Sequence, residues 1–153
     1  MTIALTGGTG FVGQALIDRA LGDGLALKAL ARKPQEPCEG IDWIQGDLAD
    51  SDALAELVTG AEAVVHVAGV VSAPDAAGFE AGNVAGTLNL IQAALNAGVP
   101  RFVFVSSLSA REPGLSDYGA SKLRAEKLLK ASTLDWTIVR PPAIYGPRDR
   151  EMF

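Results

Sequence analysis

Cysteine, histidine and long apolar runs are what this chain has least of. Cys38 is the only cysteine in 153 residues, which excludes a disulfide framework and a cysteine-based metal site. His66 is the only histidine, and no carboxylates cluster at ligand spacing, so no metal is expected. No apolar run reaches the roughly 18 residues needed to cross a bilayer. The first residues show no basic n-region and read directly as a strand, so no signal peptide is expected and the expected setting is reducing and cytoplasmic. An excess of positive charge is missing too. With 13 basic and 18 acidic residues the formal charge is −5, which argues against a general nucleic-acid or anionic-membrane binder.

What is present is a soluble, globular composition, 48% apolar and 20% charged, in a length that suits one domain. Strand and helix signals alternate. Ile3 to Leu5, Leu25 to Ala31, Asp42 to Gln45, Ala63 to Val67, Arg101 to Ser106 and Trp136 to Val139 read as strands. Helical spacing covers Gln14 to Leu21, Ser51 to Val58, Ala81 to Ala97 and Tyr118 to Lys130. Such alternation implies right-handed crossovers and an α/β fold, a Rossmann-type doubly wound parallel sheet in the order 3-2-1-4-5-6 with helices on both faces. Val70 to Gly82, rich in Ala, Gly and Pro, reads as a mobile loop.

The first strand leads through Thr6-Gly7-Gly8-Thr9-Gly10-Phe11-Val12-Gly13 into a helix. A helix N-terminus offers unpaired N–H groups and a partial positive charge, a seat for a pyrophosphate. Glycines at 7, 10 and 13 let the chain turn, approach phosphates closely and pack helix on strand.

Further segments stand at strand ends: Gly46-Asp47-Leu48, His66-Val67-Ala68-Gly69, Asn83-Val84-Ala85-Gly86-Thr87, Ser106-Ser107, Tyr118-Gly119-Ala120-Ser121-Lys122, and Arg140-Pro141-Pro142-Ala143-Ile144-Tyr145-Gly146-Pro147. In this order they resemble the extended short-chain dehydrogenase/reductase family, of the NAD(P)-dependent epimerase/dehydratase type, over essentially the whole chain. The resemblance implies that Gly7, Gly10 and Gly13 hold the pyrophosphate, with Thr9, Phe11 and Val12 also at the cofactor. It implies that Asp47, beside Leu48, contacts adenine, although an Asp here also serves as a cap or turn residue. Ala68 and Gly69 would let ribose and phosphates pass, with Pro141 and Ile144 also at the cofactor. His66, on an apolar strand, reads as core packing.

The same resemblance makes Ser107, Tyr118, Lys122 and Asn83 the catalytic set. A free phenol, with a pKa near 10, is a poor base at neutral pH. A lysine four residues on shares its helix face and favours phenolate. The lysine would also bond the nicotinamide ribose. Ser107 (or Ser106, depending on register) would hold a carbonyl or hydroxyl substrate while Tyr118 moves its proton. Asn83 would shape its helix near the site; the other reading is a helix cap. Reductase, epimerase and dehydratase chemistry all stay open. A non-catalytic dinucleotide-binding protein, redox-sensing or structural, is the alternative.

Strand two ends Leu30-Ala31-Arg32-Lys33-Pro34 with no acidic residue between Asp23 and Glu36. An acid there would bind a ribose 2′-hydroxyl; two cations suit a 2′-phosphate. NADP(H) is therefore favoured over NAD(H). Residues 1–147 would form the cofactor domain and 148–153 the start of a substrate lobe, either missing from a fragment or absent from a bare domain. Ser107 and Tyr118 stand only eleven positions apart, which leaves little room for a nucleotide-sugar pocket. A homodimer through the helices at Asn83 to Ala97 and Tyr118 to Lys130 is a family expectation.

Overall fold

The computed structural model describes residues 1–150. Six strands form one sheet in the order β3-β2-β1-β4-β5-β6, with every neighbouring pair parallel. They are β1 (Thr2–Thr6), β2 (Ala26–Ala31), β3 (Ile41–Gln45), β4 (Ala63–His66), β5 (Arg101–Val105) and β6 (Asp135–Val139). The order reverses between β2-β1 and β4, and that switch point sets the place of the cleft at the C-terminal strand ends.

Alternation along the strands builds two cores. Ala4, Val64, Phe102 and Phe104 pack with α2 (Ser51–Val58), α4 (Gly86–Asn96) and α5 (Asp117–Lys130). Leu5, Leu27 and Ala29 turn the other way, onto Ile17 and Ala20 of α1 (Phe11–Gly22). Burying a large apolar side chain fully contributes about 1.5–3 kcal/mol each, and Phe102, Phe104, Leu54, Leu57, Leu90 and Leu129 are all buried to below 2% exposure.

The stretch expected to be a mobile loop is partly helix. Asp75 accepts a hydrogen bond from the Gly78 amide and caps α3 (Ala76–Phe79). The chain continues through a π-helical turn, Glu80–Ala85, straight into α4. The Ala/Gly/Pro composition hid a helix start that one aspartate supplies. Arg148 pairs with Asp18 of α1 at 2.7 Å. Of the segment expected to open a substrate lobe, residues 151–153 lie outside the described residues.

Candidate active site

The glycine turn is shaped by what it cannot accommodate. Gly7 has φ +76°, and a Cβ there would lie 2.6 Å from the Ala68 nitrogen. A Cβ on Gly13 would run into the Gly7 carbonyl. Only glycine at both positions lets α1 start this close to β1 and β4. Gly10 is the N-cap of α1 and brings no side-chain cap, so the first amides of the helix are left for a ligand. Phe11 and Val12 are its half-buried first residues, while Thr9 is exposed and its carbonyl accepts from Gln14 Nε2 at 2.9 Å.

At one end of the cleft Arg32, Gln45, Gly46, Asp47 and Asp50 line an open cavity of about 410 Å³. Asp50, not Asp47, caps α2, accepting from the Asp52 and Ala53 amides. Asp47 takes one bond, from the Ala49 amide at 2.8 Å, through a single carboxylate oxygen. Leu48, half-buried, packs beside the α2 core.

At the other end, Ser116 accepts from the Gly119 amide at 3.0 Å and starts α5. That start puts Tyr118 in the first turn and Lys122 one turn on, on one face. Lys122 is 3% exposed. Its ammonium donates to the Val105 carbonyl at 3.0 Å and sits 4.5 Å over the Phe104 ring. Burial pulls it down to about 8, against the opposing pull of Glu126. A Cβ on Gly69 would stand 3.5 Å from the Lys122 ammonium and 3.2 Å from Asn83 Oδ1. The backbone after β4 and the lysine are therefore immediate neighbours. Tyr118 is half-buried, its ring edge-to-face with Phe79 at 6.1 Å.

The two candidate serines differ in their partners. Ser106 is buried and donates to Glu126 at 2.6 Å. Ser107 is half-buried and accepts from the Ser109 amide at 3.1 Å, which leaves its hydroxyl proton to donate elsewhere. The Leu108 amide donates to the Pro141 carbonyl at 2.9 Å, so Pro141 lies against the Ser107 segment. Ile144, 40% exposed, is not brought to the site by any of these bonds.

Asn83 is no helix cap. It is buried within the π-helical turn. Its side chain holds both backbone groups of Val70, accepting from N at 2.6 Å and donating to O at 2.9 Å, and donates to Ser121 at 3.0 Å.

His66 is buried in the core as expected, but it is also wired into the site. Thr87 donates its hydroxyl proton to the Asn83 carbonyl at 2.7 Å. His66 Nε2, 2.8 Å from that hydroxyl, must therefore be the protonated nitrogen. Nδ1 then accepts from Thr6 at 2.6 Å, and Thr6 accepts from the Ala68 amide at 3.3 Å. Burial, reinforced by the Lys122 ammonium, holds the imidazole neutral down to about 3. This chain links the glycine turn to the Asn83 helix.

Glu126 was not singled out by the sequence reading. Tyr118, Lys122 and Glu126 recur every four residues, which is the signal that a third group shares their helix face.

The residues present fit a dinucleotide. A cradle that Cβ atoms would fill lies at the helix start, a buried ammonium lies at one end, and a polar cavity with Arg32 lies at the other.

Comparison with known proteins agrees. Residues 7–151 match a family model described as NAD(P)H-binding. The chain is 43% identical to a ceramide reductase of Caulobacter vibrioides, over 97% of this chain and 48% of that protein. It is 32% identical to a UDP-glucose 4-epimerase of Vibrio cholerae, over 95% of this chain and 52% of that protein. A solved short-chain dehydrogenase/reductase superfamily protein from Agrobacterium tumefaciens, with bound NAD, matches with TM-score 0.81 and 30% identity, over 92% of this chain and 48% of that one. The chain thus spans about half the length of these curated relatives.

Proposed function

Because this chain belongs to the extended short-chain dehydrogenase/reductase family of NAD(P)H-binding proteins, we propose that it binds NADP(H) across the cleft and serves an oxidoreductase or epimerase reaction at a carbonyl/hydroxyl substrate. Gly7 to Gly13 would hold the pyrophosphate, with Ala68 and Gly69 beside the passing ribose and Asp47 at the adenine. The bound nicotinamide supplies or accepts the hydride. Ser107 donates its free hydroxyl proton to the substrate oxygen. Tyr118 gives that oxygen a proton when a carbonyl is reduced and takes it back in the reverse direction. Lys122 lowers the cost of the resulting phenolate and bonds the nicotinamide ribose.

The observation that carries this reading is Lys122. Lysine is almost never fully buried without a role or a partner, and this one is buried beside Gly69, a turn from Tyr118, at a pKa of about 8. The two relatives bear different substrate names while matching the same domain, which supports naming the substrate no more finely than a carbonyl/hydroxyl pair.

Titration with NADPH and NADH, followed by fluorescence of the reduced cofactor, tests the binding. Tyr118→Phe tests the chemistry. Oxidation of NADPH with a panel of carbonyl compounds should fall at least about 100-fold, with NADPH affinity changed less than about threefold. The non-catalytic alternative, a dinucleotide-binding sensor or structural element, predicts a variant indistinguishable from the parent in both.

A further inference from the structure

Outside the groups used above, the most heavily bonded buried charge among the described residues is Glu126. It is fully buried, two turns along α5 from Tyr118. Its Oε1 accepts from Ser106 Oγ at 2.6 Å and from Arg140 Nε at 2.8 Å, and its Oε2 accepts from Arg140 Nη2 at 2.6 Å. Lys130, on the same helix, lies 3.7 Å away. Burial would raise this carboxyl, but the bonds from Arg140 and Ser106 outweigh that and hold it below its usual range.

Each partner opens a part of the site. Ser106 immediately precedes Ser107 at the end of β5, and the preceding carbonyl, Val105, is the one Lys122 binds. Helix α5 is thus fixed to two successive residues of that strand end, through Lys122 and through Glu126. Arg140 opens the segment whose next residue, Pro141, accepts from Leu108.

We propose that Glu126 is a positioning residue of this site: one buried carboxylate that locks the helix carrying Tyr118 and Lys122 to the strand end carrying Ser107 and to the segment beginning at Arg140. The inference rests on the proton-handling reading above and deepens it. Its second effect is electrostatic. Burial pushes the Lys122 ammonium toward neutrality and Glu126 is the charge that opposes this. The other titratable or charged groups around this pair are Tyr118 and Lys130 on α5, His66 of β4, and Arg140 after β6.

The test reads the lysine directly. In the full chain labelled with ¹³C at lysine Cε, the Lys122 resonance is assigned with Lys122→Met and its titration followed by NMR, alongside NADPH affinity against pH. Glu126→Gln keeps the shape and removes the charge; its carbonyl oxygen can still accept from Ser106 and Arg140 Nε, while its amide takes the place that faced Arg140 Nη2. It should lower the Lys122 midpoint by about one pH unit. NADPH affinity should then fall about fivefold at pH 8 and recover near pH 6, following the charged fraction of Lys122. A purely structural glutamate would weaken binding equally at every pH and leave the midpoint where it was, and that result overturns the proposal.

If Glu126→Gln does not fold, Lys130→Gln carries the test, since that side chain is 45% exposed. Removing the competing cation should raise the Lys122 midpoint by a few tenths of a unit, and an unmoved midpoint overturns the proposal. Absence of any dinucleotide binding would sink the functional reading and leave the Lys122 titration to judge Glu126 alone. Normal binding with an unmoved midpoint would do the reverse.

Discussion

At the β1 end the cleft is shaped by backbone, whereas at the β5–β6 end it is braced by buried side chains that hold one another. The glycine turn works by absence: no Cβ at Gly7 or Gly13, no side-chain cap at Gly10. The far end works by charge, with Lys122, Glu126 and Arg140 joined through Val105 and Ser106. His66 ties the two ends together through Thr6 and Thr87. The difference matches the two tasks proposed for these ends. A pyrophosphate is held by many weak, uniform donors that need close approach and no particular side chain. Moving a proton needs one or two groups with tuned ionisation, and that requires burial and specific neighbours.

The backbone end should break most abruptly. Gly13→Ala puts a methyl group into the Gly7 carbonyl, and neither main-chain segment can yield without moving α1 off the sheet. A loss of about 3 kcal/mol or more is expected, a fall in Tm of about 10 °C, with NADPH binding lost. A variant that melts and binds like the parent would mean the helix start is more compliant than its geometry.

The side-chain end should fail by pH instead. His66 is held neutral to about 3, while the unfolded chain takes up that proton near 6.5. The stability this group contributes is therefore complete above pH 6.5 and is lost progressively as the pH falls toward 3. His66 is the only histidine, so the loss between pH 6.5 and 5.5, above the range in which Glu126 and the other carboxylates take up protons, belongs to it. Urea midpoints should show on the order of 1 kcal/mol lost across that window. His66→Phe, less stable at neutral pH, should show a flat profile there. An equal slope in both proteins would assign the acid sensitivity elsewhere.

The two ends also differed in how far they could be read in advance. Gly7, Gly10 and Gly13 act through spacing within one short stretch, and the six apolar strands announce themselves by composition, so turn, sheet order and the Tyr118–Lys122 face were all legible. Thr6 and His66 meet across 60 positions, Ser106 and Glu126 across 20. No local pattern encodes such pairs; only the parallel register, which sets Thr6 beside His66, brings them together. The π-helical turn at Asn83 was hidden for another reason. One inserted residue shifts the helical phase, and the Val70 backbone that Asn83 satisfies lies 13 positions upstream.

The smallest expected effect sharpens the comparison at the cavity where β2 ends. Arg32 shares that cavity with Asp47 and Asp50. One carboxylate oxygen of Asp50 is taken up by the start of α2 and one of Asp47 by the Ala49 amide, and β2 itself runs into Arg32 with no acid of its own. Arg32 is exposed, and an exposed cation on a phosphate gains less than a buried one because water and salt screen it. Arg32→Ala should therefore weaken NADPH binding by about tenfold, about 1.4 kcal/mol, and leave NADH within twofold. The loss should shrink as salt rises, which a steric effect of the substitution would not. Equal affinity of the parent chain for both nucleotides would show that this end, like the glycine turn, reads the shared part of the cofactor and does not discriminate at the ribose.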